Sequence, residues 1–318
     1  MRCPASLILL ALCLFAVGCA PRLQEAGPET RLPELRLNAS EPELVMDDGV
    51  RLPVRVWRPE GQVQAVILAV HGFNMYSQIF EEPARQWAKA GILTIAYDQR
   101  GFGNTGQRGI WPGVDRLTGD LVRASNLVQA SYPDKPLVLL GDSMGGAAVL
   151  SAITGADPPA GNAIVLVAPA VWGREAMPFY QTAGLWFFAH TLPWLEVTGQ
   201  HLNRKPTDNI PLLRKLGGDP LVIKRTRIDV IWGLVNLMDK ARAAVPEIDR
   251  PALVLYGAKE DILPEQAWRD AFSHLPVADD KTLTVYKSGF HMLLHDLEAD
   301  VVIDDIADFV LSQKAESP

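Results

Sequence analysis

Apolar residues follow two alternating rhythms along the chain. Short, nearly unbroken runs occupy 65–70 (AVILAV), 92–97 (ILTIAY), 137–140 (LVLL), 163–167 (AIVLV) and 253–256 (LVLY), with less regular runs at 52–57 and 282–286. Consecutive apolar positions over four to six residues suit strands covered on both faces, as in a parallel sheet. Between them, Phe80, Ala84 and Trp87, then Leu117, Leu121, Ala124 and Val128, and finally Val302, Ile306, Phe309 and Val310 recur at helical spacing. Strands alternating with amphipathic helices predict an α/β fold: a mainly parallel, twisted sheet with helices on both faces, built from 43–170 and 247–318.

The alternation stops over 171–246, where no strand run is visible and four of the eight tryptophans fall: Trp172, Trp186, Trp194 and Trp232. A helical cap insertion is expected here, emerging after the 163–167 strand at the carboxyl edge of the sheet, where such folds build ligand sites. Phe179, Tyr180, Leu185, Trp186, Phe187, Phe188, Leu192, Pro193, Trp194 and Leu195 supply enough apolar surface to roof an acyl channel or to pack the cap onto the body.

The first residues have a different character. Arg2 precedes a nearly continuous apolar run from Ala5 to Val17, too short to span a bilayer but suited to an export signal over 1–18. Its end, Ala16-Val17-Gly18-Cys19, resembles a bacterial lipobox, with Ala16 where Leu is usual; this implies lipidation of Cys19, against ordinary secretion or an uncleaved anchor. The segment 19–42 carries Pro21, Pro28, Pro33 and Pro42 among polar residues and reads as a flexible tether. An exported lipoprotein, held at a membrane and facing the periplasm or cell exterior, is the expectation. All three cysteines, Cys3, Cys13 and Cys19, precede the body, which therefore has neither disulfide nor thiolate chemistry.

With 30 Lys and Arg against 37 Asp and Glu, the net charge of -7 gives no attraction to phosphate backbones, so nucleic acid is not an expected partner. The chemistry gathers elsewhere. Gly141-Asp142-Ser143-Met144-Gly145-Gly146 follows the 137–140 strand and opens a small-residue helix, the G-x-S-x-G nucleophile elbow in its required setting. The bend is sharp, and glycines at 141 and 145 leave room for Ser143 to project from the sheet as a nucleophile.

A serine hydroxyl needs a base. His291 follows the 282–286 strand by a short turn, which brings it to the sheet edge beside the elbow; His295, one turn on, reads as a packing or surface residue. The acid that orients the base is expected after the 253–256 strand, where Glu260 and Asp261 are adjacent. Glu260 is favoured because strand registry controls direction more tightly than one methylene controls reach; Asp261 is the alternative. The backbone N–H groups of Phe73, after the 65–70 strand, and Met144 are placed to form an oxyanion hole. His71 reads as a brace for that turn, and Asp98 as a tie between Arg100 and its loop. No metal or cofactor is called for.

Taken in order, His71-Gly72-Phe73, Tyr97-Asp98-Gln99-Arg100-Gly101-Phe102-Gly103, Gly141-Asp142-Ser143-Met144-Gly145-Gly146 and Gly289-Phe290-His291-Met292-Leu293-Leu294 resemble the monoacylglycerol lipase and lysophospholipase branch of the α/β-hydrolases, also labelled serine aminopeptidase-like. The resemblance runs from about Leu44 to Val310. It implies an α/β-hydrolase that cleaves lipid esters through an acyl-enzyme on Ser143, with His291 as proton shuttle. Glu260 stands where that family has Asp. Short-chain esterase, thioesterase or peptidase activity on the same residues is the alternative among enzymes, and a non-catalytic lipid- or partner-binding lipoprotein the alternative outside them.

Overall fold

A computed structural model of the chain describes residues 20–199 and 204–314. The apolar leader and Cys19, with its expected lipidation, lie outside the described residues.

Nine strands form the main sheet: β1 (Glu34–Arg36), β2 (Glu43–Val45), β3 (Arg51–Trp57), β4 (Ala65–Val70), β5 (Ile92–Tyr97), β6 (Leu137–Asp142), β7 (Ala163–Val167), β10 (Ala252–Gly257) and β11 (Lys281–Tyr286). Their order is β1-β2-β3-β5-β4-β6-β7-β10-β11, antiparallel from β1 to β5 and parallel from there on. The mainly parallel sheet is the one the alternating rhythm predicts, and the fold is the α/β-hydrolase fold that the resemblance implies.

The unbroken apolar runs are explained by burial on two sides. Along β4, Val66, Leu68 and Val70 face one core, while Ala65, Ile67 and Ala69 face the other. The first core is closed by α2 (Val114–Ser131), α3 (Met144–Ile153), α6 (Ile228–Ala244) and α7 (Glu265–Phe272); the second by α1 (Glu81–Lys89) and α8 (Ala299–Ser312). The indole N–H of Trp87 in α1 donates to the Ile303 carbonyl in α8 at 3.0 Å, fixing these two helices to each other.

The insertion holds α4 (Phe179–Thr191), α5 (Ile210–Gly218), and a two-stranded ribbon of β8 (Glu196–Val197) and β9 (Thr226–Arg227), too short to leave a sequence signal. Its last helix, α6, is not a lid: Val235, Leu237, Met238 and Ala241 are buried against α3 in the main core. By contrast Phe179, Trp186, Phe187 and Trp194 stay more than half exposed, so most of their surface is not spent on packing the cap onto the body.

The segment 20–42 differs from the tether expected for it. β1 pairs with β2 at the sheet edge, Leu23 bridges Trp111, and Gln24 is buried with its side-chain amide donating to the carbonyls of Ile110 at 3.0 Å and Gln107 at 3.3 Å. Prolines restrict the chain to extended backbone, and extended backbone can add to an edge or lie along a loop as readily as it can hang free.

Arg100 also departs from expectation. Its guanidinium meets Asp120 at 2.6 Å and Asp48 at 2.5 Å, all three side chains nearly inaccessible. Asp98 instead accepts from the Ser77 amide at 3.0 Å, its hydroxyl at 2.5 Å, and the Asn104 amide at 2.9 Å. Breaking a buried ion group from one side leaves uncompensated charge. Arg100→Met is therefore expected to lower stability by about 3–5 kcal/mol, measured by denaturant unfolding; a loss under about 1 kcal/mol would show that water reaches the two carboxylates.

Candidate active site

Ser143 stands between β6 and α3 with φ 51° and ψ -109°, a left-handed backbone that a residue with a Cβ adopts only under constraint. The constraint is visible. The Ser143 amide donates to the Val167 carbonyl at 2.8 Å, and its carbonyl accepts from Ala170 at 3.0 Å and Ala147 at 3.1 Å. Around it the backbone is packed against backbone: a Cβ on Gly145 would lie 1.9 Å from the Val70 carbonyl oxygen, and one on Gly141 2.5 Å from Gly145 and Gly146 atoms. Only glycine fits at either place, so the sequence motif is a steric requirement.

His291 arrives on the loop after β11. Its Nε2 lies 3.0 Å from Ser143 Oγ and its Nδ1 2.6 Å from Glu260 Oε2. Since Glu260 has only acceptors to offer, the proton belongs on Nδ1, which leaves Nε2 to accept from the hydroxyl. Glu260 is reached through a tight turn after β10, and the two loops approach so closely that a Cβ on Gly257 would lie 2.1 Å from the Gly289 carbonyl oxygen. Its second oxygen accepts from the amides of Ile262 at 2.7 Å and Leu263 at 3.0 Å, fixing the carboxylate plane.

The electrostatics reinforce the geometry. Burial disfavours ionised Glu260, but the His291 charge and hydrogen bond, with the two amides, hold its pKa below the usual glutamate value. Burial likewise opposes the imidazolium, yet the Glu260 carboxylate raises the pKa of His291 above the usual value. Asp261, the alternative acid, points away: its carboxylate takes the Arg204 guanidinium at 2.7 Å and the Lys205 amide at 3.1 Å. Adjacent residues on a turn diverge, so only one of the two acids can meet the histidine.

The amides of Phe73 and Met144 donate to no protein acceptor among the described residues, as an anion-binding pair requires. Their turn is braced by His71: the Gln99 amide donates to its Nε2 at 3.0 Å, so its Nδ1–H points to the Gly72 carbonyl at 2.9 Å. Complete burial lowers the His71 pKa and keeps it neutral, consistent with bracing and not proton transfer.

Two acids near the site escape a reading of motifs. Asp142, immediately before Ser143, is pushed up to about 6 chiefly by burial, and its charge favours a protonated His291. Its position inside the elbow was the available signal. Asp296 accepts from the Phe290 amide at 2.7 Å and the Thr207 hydroxyl at 2.6 Å, while Met292 donates to the Pro206 carbonyl at 2.8 Å. The insertion thus clasps the His291 loop, a long-range contact with no signature along the chain. His295 is pushed down to about 4 by burial and so packs as a neutral ring. Among the described residues no three His, Cys, Asp or Glu side chains gather to hold a metal.

The same elements recur in characterised proteins. The family model described as serine aminopeptidase, S33, matches residues 61–298. The monoglyceride lipase of Homo sapiens is 30% identical over 285 residues, covering 86% of this chain and 90% of that protein, and the monoacylglycerol lipase of Mycolicibacterium smegmatis is 24% identical over 267 residues, covering 83% and 94%. The crystal structure of a soluble variant of monoglyceride lipase from Saccharomyces cerevisiae superposes with a TM-score of 0.70 at 20% identity over 92% of this chain and 98% of that one; the monoacylglycerol lipase of Paleococcus ferrophilus gives 0.67 at 21% over 82% and 98%. These two likenesses establish a shared fold. From the family match and the human relative together, the chain is a carboxylic ester hydrolase and belongs to the serine aminopeptidase, S33, family of α/β-hydrolases.

Proposed function

We propose that the chain hydrolyses carboxylic esters of lipids, of monoacylglycerol or lysophospholipid type, through an acyl-enzyme on Ser143. The observation that carries this reading is the hydrogen-bonded line Ser143 Oγ, His291, Glu260, at 3.0 and 2.6 Å. As Oγ attacks the ester carbonyl, His291 Nε2 takes its proton, and the amides of Phe73 and Met144 receive the negative charge that develops on the carbonyl oxygen. The imidazolium, steadied by Glu260, returns the proton to the departing alcohol oxygen. Water then attacks the acyl carbonyl carbon as His291 takes its proton; the bond from that carbon to Ser143 Oγ breaks, His291 returns the proton to Oγ, and the fatty acid leaves.

The lipid part of the reading is supported by the monoacylglycerol lipases among the relatives. Attachment to a membrane through Cys19, facing the periplasm or cell exterior, is the matching proposal for location. It rests on the apolar run before that cysteine.

A fluorophosphonate probe is expected to label the parent chain and not Ser143→Ala; an inert parent would favour a binding protein. Across nitrophenyl esters from acetate to palmitate, with monoacylglycerol, lysophospholipid and aminoacyl anilides beside them, medium or long acyl esters should give the highest kcat/KM. A preference for acetate or anilide overturns the lipid assignment.

Glu260→Gln should reduce turnover by about 10⁴, as misorienting the imidazole does in triads generally, while Asp261→Asn changes it less than about threefold. Equal small losses would reject Glu260. The pH profile adds a sign. The base must be neutral, so activity rises with pH through the His291 pKa, which Glu260 holds above its ordinary value. Removing that charge should move the acid limb of residual kcat/KM to lower pH.

A further inference from the structure

An apolar helix stands open to solvent on the cap. The twenty positions 176–195 contain no Asp, Glu, Lys or Arg, and of the thirteen residues of α4 only Ala189 is buried. Phe179 is 83% exposed, and Trp186, Phe187 and Trp194 are each above 50%. A helix apolar on every side is normally inside something. At about 1.5 Å per residue α4 is roughly 20 Å long, short of the ~30 Å hydrocarbon core, so it would lie along a bilayer surface and not cross it.

The start of the described chain leads to the same corner. The Arg22 amide donates to Asp229 Oδ2 at 3.2 Å, and Asp229, buried in the first turn of α6, also holds the Arg227 guanidinium. The Asp229 amide in turn donates to the Pro193 carbonyl at 3.1 Å, one residue before Trp194. Behind this point Gln24 donates through its amide to the Trp111 carbonyl at 2.9 Å and accepts from Arg116 at 2.6 Å. Cys19 is three residues before Arg22, a reach of at most about 11 Å.

We propose that residues 20–24 are a clamp that holds the N-terminal attachment against the cap, so that whatever anchors the chain there and the aromatic face of α4 enter one bilayer surface together. The occupant of the apolar face is thus a lipid surface, because the sequence running into the clamp is itself an apolar leader ending in Cys19. A free tether of about twenty residues would leave the body some 25 Å of wander and every orientation. The clamp removes that freedom and presents the carboxyl edge of the sheet, with Ser143, to the layer in which a lipid ester resides. The proposal rests on the membrane attachment given above.

The test uses the full chain on vesicles of phosphatidylethanolamine and phosphatidylglycerol, with phospholipids brominated in their acyl chains as quenchers of tryptophan emission. The parent should be quenched, and Trp194→Phe should lose part of the quenchable emission. Arg22→Pro with Gln24→Ala removes the Arg22 amide donor to Asp229 and the Gln24 side-chain donors to the Ile110 and Gln107 carbonyls, leaving the Gln24 backbone bonds and the site untouched. It should stay on the vesicles, lose half or more of the quenching, and hydrolyse vesicle-borne monoacylglycerol at least fivefold more slowly, with a water-soluble short ester turned over as before. If the double variant melts lower, Arg22→Pro alone is compared. Quenching unchanged in the clamp variant, or a parent bound but unquenched, overturns the proposal, as does a parent that sedimentation shows to be a dimer closed over the aromatic face. A parent that leaves the vesicles defeats the attachment and the clamp with it. A quenched chain inert toward every ester defeats the lipase reading and leaves the clamp standing.

Discussion

Backbone packed directly on backbone at the β6 to α3 bend is the constraint on which the rest of the molecule depends. Gly145 lies against the Val70 carbonyl, Gly146 against Pro169, and Gly141 against the first turn of α3, and no side chain would fit among them. That contact lets α3 leave the sheet at once and forces Ser143 into a left-handed conformation costing about 1–3 kcal/mol, offset by the buried strands and helices that enclose it. A looser bend would relax the serine backbone and loosen its hold on the 3.0 Å approach of the hydroxyl to His291.

A second close approach does for the partners what the first does for the serine. Gly257 and Gly289 bring the loops after β10 and β11 into contact, so Glu260 and His291 meet although they leave separate strands. The carboxylate remains charged in a buried place because its neighbours supply what water would: an imidazole on one oxygen and two amides on the other. Asp142 adds another negative group nearby, so more than one acid favours the protonated form of His291.

The insertion divides its labour by helix. Its last helix, α6, belongs to the core and carries at its first turn the buried Asp229 that grips the N-terminal segment. Its residues before α5 clasp the His291 loop through Thr207 and Asp296. α4 is left with its apolar surface outward, a state that makes physical sense when a lipid phase, and not water, is the medium it meets.

By itself the sequence determined what local physics determines. Six-residue apolar runs such as 65–70, set between turn residues, suit two-sided strands, the glycines at 141 and 145 between such a strand and a helix suit a sharp bend, and strand registry favoured Glu260 over its neighbour. What it left open were choices made between distant parts of the chain. That Asp261 turns to Arg204, that Arg100 joins Asp48 and Asp120 and leaves Asp98 to Ser77, and that the proline-bearing segment 20–42 lies down on the body all depend on partners tens or hundreds of positions away. Hydrophobic periodicity records which face of an element is covered, but carries no term for what covers it. Only tertiary structure decides that, because a polar side chain in a loop pairs with whichever donor or acceptor folding brings within about 3 Å.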